Sequence, residues 1–249
     1  MFANPAILAD ISGFLAGFVF SSLVLLLSSP PKKKTIRAIS PYLFEFVIVV
    51  YCFILSAFLF SFVNLNVEDK YFERSFLILI VASCVGAFAV AQMYHGLAWL
   101  FTIYGVGSKL ISNICIVFRA ILLVLSLNII YMVGNLSIVL RENKYDYISD
   151  PIIILWIIPF IFPYIVIFPL KRFEFKLFIY LTDRDVIRLV ALGTLIISTG
   201  MAIYVAIVFG WSLDADLMFS NIGKYVIIYL VGIVFSVLEA TLPDFVPSK

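Results

Sequence analysis

Seven stretches of predominantly apolar residues, near 6–28, 42–64, 75–104, 110–140, 151–170, 187–210 and 224–242, divide the chain. They approach or exceed the roughly 18 to 20 residues an α-helix needs to cross a hydrocarbon core about 30 Å thick. A backbone in lipid finds no water for its polar groups, so such a chain folds as helices that close their own hydrogen bonds. The expected fold is an all-α integral membrane protein: a single seven-helix transmembrane domain over residues 1–249, with short connections and no soluble domain. Of the 249 residues, 64% are hydrophobic and only 13% charged, which is too apolar for a soluble globule, whose apolar share runs near half.

Orientation follows from the basic residues, which favour the cytoplasmic side. The N-terminal stretch MFANPAILADISGFLAGFVFSS has no basic leader and no clear cleavage site, which predicts a retained first helix. Lys32, Lys33 and Lys34 follow that helix directly. With the N-terminus outside, eleven of the 17 basic residues fall on the inner side and five on the outer, leaving Arg119 inside a span. The expectation is therefore N-terminus outside, C-terminus cytoplasmic, in a cell (inner) membrane. A formal net charge of +2 gives no reason to expect nucleic acid. Trp99, Trp156 and Trp211 lie near span ends, where interfacial aromatics collect.

In lipid, helices associate through close backbone approach, and small residues permit it. The first helix carries Ala9, Gly13, Gly17 and Ser21 at strict four-residue spacing, a helix-packing stripe suited to this bundle, to a homo-oligomer or to a partner membrane protein. The device recurs as Ser83, Ala87, Ala91 and as Ala202, Ala206, Gly210. Pro159 and Pro163 predict a kinked or broken fifth span. The connector 171–186 reads as an interfacial segment, with Thr182 and Asp185 spaced as a cap for the sixth helix.

Ionisable residues inside a bilayer are costly and mark functional sites. Five fall within the spans, beyond their two terminal residues: Asp10, Glu45, His95, Arg119 and Glu239. Counting a rise of about 1.5 Å per residue puts Arg119 and His95 about 13 Å from the inner face and Glu45 and Glu239 about 5 Å from it. These four, with Gln92 one turn before His95, are expected to converge on one intramembrane polar site, Arg119 lying near His95 and near Glu45 or Glu239. Asp10 is an outer polar residue. Asn113, Asn128 and Asn135 are spread around the fourth helix, not stacked on one stripe.

The chain has no Gly-x-Ser-x-Gly, His-Glu-x-x-His or Walker loop, so common hydrolases and ATPases lack their nucleophile, metal ligands or phosphate cradle. Cys52, Cys84 and Cys115 all lie in apolar runs without metal spacing, and a lone histidine makes no multi-histidine site. No cofactor is expected. A retinal protein needs a lysine in the seventh helix interior, and KYVIIYLVGIVFSVLEATLP has none there. The layout is similar to the small sugar transporters built as 3 + 1 + 3 repeats, but of that family's helix prolines only those of the fifth run are matched. The sequence points to a non-enzymatic protein of channel or transporter type, its partner being the lipid bilayer. The alternative is a non-conducting membrane subunit or scaffold that binds partner proteins in an export, defence or immunity complex.

Overall fold

The computed structural model describes residues 4–28, 33–63, 69–104, 107–142, 183–210 and 216–243. They form six helices: α1 (Pro5–Ser28), α2 (Lys33–Ser61), α3 (Asp69–Ile103), α4 (Ser108–Glu142), α5 (Asp183–Gly210) and α6 (Asp216–Ala240). Among the described residues there is no strand. The expected fifth span at 151–170, with Pro159 and Pro163, lies outside the described residues, as do Trp156, Trp211 and Thr182.

Five helices contain stretches long and apolar enough to cross a membrane: Pro5–Leu25, Ser40–Ser61, Ser75–Ile103, Lys109–Met132 and Ile187–Ile207. In α6 the apolar stretch is shorter, Tyr229–Ala240. The outward faces are strongly apolar: Phe14 is 74% exposed, Leu25 69%, Val124 65% and Ile196 69%. Apolar surface on this scale suits contact with lipid and would be an aggregation hazard in water. This is the character of a multi-pass membrane protein.

The helices overrun the predicted boundaries at their polar ends. The clearest case is α2, which begins at Lys33, nine residues before the apolar run, and contains Pro41. A proline there removes one N–H and leaves the Arg37 carbonyl without its helical partner, which is tolerable close to a membrane surface.

The axis of the bundle is α3. Of its apolar stretch 72% is buried, against 22–44% for the other four. Its sequence explains this, because Ala82, Ala87, Ala89, Ala91, Ala98 and Gly96 are distributed around the helix, so neighbours approach from every side. Packed on α3 are α2, α4, α5 and α6, while α1 lies mainly against α2. One apolar cluster draws residues from all six helices, including Val19, Phe53, Phe88, Phe118, Val205 and Val231. Phe88 and Phe235 meet edge to face, centroids 6.0 Å apart, and join α3 to α6.

Short polar links fix the register between helices. The Ser56 hydroxyl donates to the Ala82 carbonyl at 2.8 Å, and Gly86 is required beside it, since a Cβ there would lie 2.9 Å from Ser56 Oγ. Tyr51 and Thr199 share a hydrogen bond of 3.0 Å, and the Cys52 thiol donates to Ser198 Oγ at 3.5 Å. Such links within membranes average about 0.6 kcal/mol each, so they select register more than they stabilise.

Candidate functional site

Glu45 on α2 and His95 on α3 are both fully buried, and Glu45 Oε1 lies 2.7 Å from His95 Nδ1. Counting along each helix separately gives the two residues expected depths that differ by about 8 Å, yet their side chains meet. A long glutamate side chain and the tilt usual for membrane helices close such an offset.

The other ring nitrogen, His95 Nε2, lies 2.9 Å from Thr241 Oγ1 at the C-terminal end of α6. Thr241 has one hydroxyl proton, directed to the Val237 carbonyl at 2.8 Å and shared with the Leu238 carbonyl at 3.2 Å. Its oxygen is thus left to accept, and Nε2–H donates to it. With Nε2 protonated in this way, one further proton lies between Nδ1 and Glu45 Oε1, held by the imidazolium or by the carboxyl. Either arrangement is net neutral. Both side chains are shielded from solvent, and an unbalanced buried charge costs several kcal/mol.

Trp99, one turn beyond His95, donates its indole N–H to the Thr241 carbonyl at 2.9 Å. It is buried and packs beside Tyr42, centroids 6.4 Å apart, with Leu100 and Ile187 in the same cluster. The expected role as an interfacial anchor is therefore corrected: its polar atom is used inside the bundle. Thr241 thus ties α6 to α3 twice, through its side chain and its backbone.

Gly96 makes room for the pair. A Cβ at this position would stand 3.2 Å from Glu45 Oε2, 3.4 Å from Glu45 Cδ and 3.4 Å from the Phe46 ring. Glu45 Oε2 is buried with no hydrogen-bond partner among the described residues. Gln92 is fully buried, and neither its amide nitrogen nor its amide oxygen has a partner among those residues. Each such atom costs about 1–3 kcal/mol. Gln92 and Gly96 are four residues apart, and side chains so spaced lie on one face of a helix, so the unpartnered amide and carboxylate oxygen occupy adjacent turns.

Arg119 on α4 pairs with Glu239 on α6, Nε to Oε1 at 3.6 Å, an ion pair longer than a good hydrogen bond. The Arg119 side chain is 27% exposed and that of Glu239 10%. The five expected site residues thus resolve into the buried Glu45–His95 pair, the more peripheral Arg119–Glu239 pair, and Gln92. Glu239 and Thr241 lie two residues apart, so the end of α6 bridges α4 and α3.

Asp10 is exposed on α1 and takes no part in this cluster. On α1 the buried positions are Ser12, Ala16, Val19 and Leu23. Gly13, Gly17 and Ser21 face outward, Ala9 is half-buried, and nothing lies within 4 Å of a Cβ built on either glycine. Thr241 and Trp99 were the site residues not foreseen. A threonine two residues after an intramembrane glutamate was the available signal.

Among the described residues no group of three or more His, Cys, Asp or Glu could hold a metal ion. Cys52, Cys84 and Cys115 are buried and unpaired with one another. Chemically, the site can hold one proton at Glu45–His95 and offers an amide donor, an amide acceptor and a carboxylate oxygen beside it. Comparison with protein-family models, with curated proteins and with solved structures finds no match.

Proposed function

We propose that this chain is a transporter-type protein of a cell membrane with seven spans, N-terminus outside and C-terminus cytoplasmic, in which proton exchange at Glu45–His95 is coupled to the binding of a polar solute at Gln92. The observation that carries the reading is the fully buried 2.7 Å contact between Glu45 and His95, beside three unpartnered polar atoms. A proton cannot leave this pair without stranding charge, so exchange requires the site to open and hydrate. Coupling of solute and proton movement arises from that requirement. The predominance of basic residues in the inner connectors supports the orientation.

The test is reconstitution of the purified protein in liposomes with an imposed pH gradient, a panel of small solutes outside and a pH dye inside. Solute entry accompanied by proton movement, abolished in Glu45→Gln and His95→Phe, is the expected result. Absence of any solute or proton flux from a folded, reconstituted protein would refute the reading.

A second reading, a non-conducting subunit that binds a partner membrane protein or a second copy of itself, is favoured by the outward-facing Gly13, Gly17 and Ser21. All three native cysteines are buried, so Gly13→Cys would supply an accessible thiol. Disulfide or bifunctional cross-linking of that thiol in native membranes supports this reading. Failure to cross-link to any protein counts against it.

A further inference from the structure

A second cleft lies in the half of the bundle away from Glu45–His95. It has a volume of about 280 Å³ and is walled by α1, α2, α3 and α4. Ser83 and Gly86, on its α3 wall, precede His95 by twelve and nine residues, so it is about 14–18 Å along the helix from the proposed proton site. Five polar side chains meet in it, Ser12, Ser56, Ser83, Asn128 and Tyr131, within an otherwise aliphatic and aromatic lining. Among the described residues no Asp, Glu, Lys, Arg or His lines it.

The state of these polar groups is informative. Several serines of this bundle return their proton to the preceding helical turn, as Ser21, Ser22, Ser126 and Ser236 do. Ser12 makes no hydrogen bond among the described residues, although it is 8% exposed. Nor do Ser83, Asn128 and Tyr131 among those residues. Ser56 donates to the Ala82 carbonyl and keeps its lone pairs directed elsewhere. Ser12 lies about 10 Å along α1 from Pro5, a depth at which lipid offers no partner to a hydroxyl. The cleft is open at its rim, where Ile11 is 50% and Tyr131 61% exposed, and in a bilayer those residues face the acyl chains. Its size is at the lower edge of small-molecule sites, about 300–1,000 Å³.

We infer that this cleft binds an uncharged amphiphile bearing hydroxyl or carbonyl groups, taken laterally from the bilayer between α1 and α4. The unpartnered Ser12 and Ser83 hydroxyls and the Asn128 amide meet its polar head, and the apolar walls hold the first methylenes of its tail. A carboxylate, phosphate or ammonium head finds no counter-charge there and is disfavoured by desolvation.

The experiment is photolabelling in phosphatidylcholine proteoliposomes with a diazirine-bearing monoacylglycerol, compared with fatty-acid and alkyl-trimethylammonium probes of equal chain length. The monoacylglycerol probe is expected to label the α1 and α4 segments around Ile11 and Tyr131 at least five-fold more than the lipid-facing Ile196 segment of α5. Excess monoacylglycerol should compete, and the combined Ser12→Leu and Ser83→Leu substitutions should bring labelling down to the α5 background. Because those changes add volume inside the bundle, Asn128→Leu at the exposed rim serves as the second variant, expected to reduce labelling at least two-fold in a protein of unchanged elution. Equal labelling by the charged probes, labelling unaffected by both variants, or labelling no greater than at α5 would overturn the assignment.

Discussion

Removing His95 alone should destabilise the protein more than removing His95 and Glu45 together. In His95→Leu, Glu45 keeps no partner for either oxygen in a fully buried position. The cost is about 3 kcal/mol, the lower end for a stranded buried charge, because the carboxyl can take up a proton. In Glu45→Leu, His95 retains Thr241 at 2.9 Å and loses one hydrogen bond, a cost of about 1.5 kcal/mol. The double variant strands neither group and costs about 1.5 kcal/mol, since Thr241 keeps its bond to the Val237 carbonyl. Additivity would give about 4.5 kcal/mol, so the expected coupling is about 3 kcal/mol. Equilibrium unfolding in mixed micelles, followed by helical circular dichroism, measures all four corners of the cycle. A double variant whose cost equals the sum of the singles within about 0.5 kcal/mol would refute the buried pair.

Two glycines on different faces should respond in opposite directions. Gly96→Ala presses on Glu45 Oε2 and the Phe46 ring and is expected to lower stability by about 1 kcal/mol despite better helix propensity. Gly17→Ala meets open space and should raise stability of the isolated chain by about 0.5 kcal/mol; the same denaturation assay reads both. Thr241→Val deprives His95 Nε2–H of its acceptor while leaving the Trp99 bond to the residue 241 carbonyl, and is expected to cost about 1–2 kcal/mol. An unchanged midpoint for Thr241→Val would contradict the donor assignment at Nε2.

Hydropathy made the apolar part of each described helix legible, because burial in lipid selects residue type directly. It was blind to helix ends: Lys33 to Ile39 have no apolar run, yet α2 begins there. The intramembrane ionisable rule found Glu45, His95, Arg119 and Glu239, since charge in lipid is conspicuous in any sequence. It could not divide them into pairs, which depends on the rotation of each helix about its axis. The same ambiguity affects α1, where Gly13 and Gly17 lie on one apolar face and Ala16 and Val19 on another, and periodicity alone does not say which meets α2. Trp99 and Thr241 were missed for a related reason. A tryptophan near a span end and a threonine before Leu-Pro both resemble boundary residues until their polar atoms are seen to meet.

The most direct measurement uses the fact that His95 is the only histidine in the chain. Histidine-specific nitrogen-15 labelling gives one pair of ring resonances, readable by solid-state NMR in lipid bilayers. The expected result is a protonated Nε2 whose signal shifts in Thr241→Val, and a strongly hydrogen-bonded Nδ1 whose signal shifts in Glu45→Gln. An unprotonated Nε2, with an Nδ1 signal indifferent to Glu45→Gln, would contradict it.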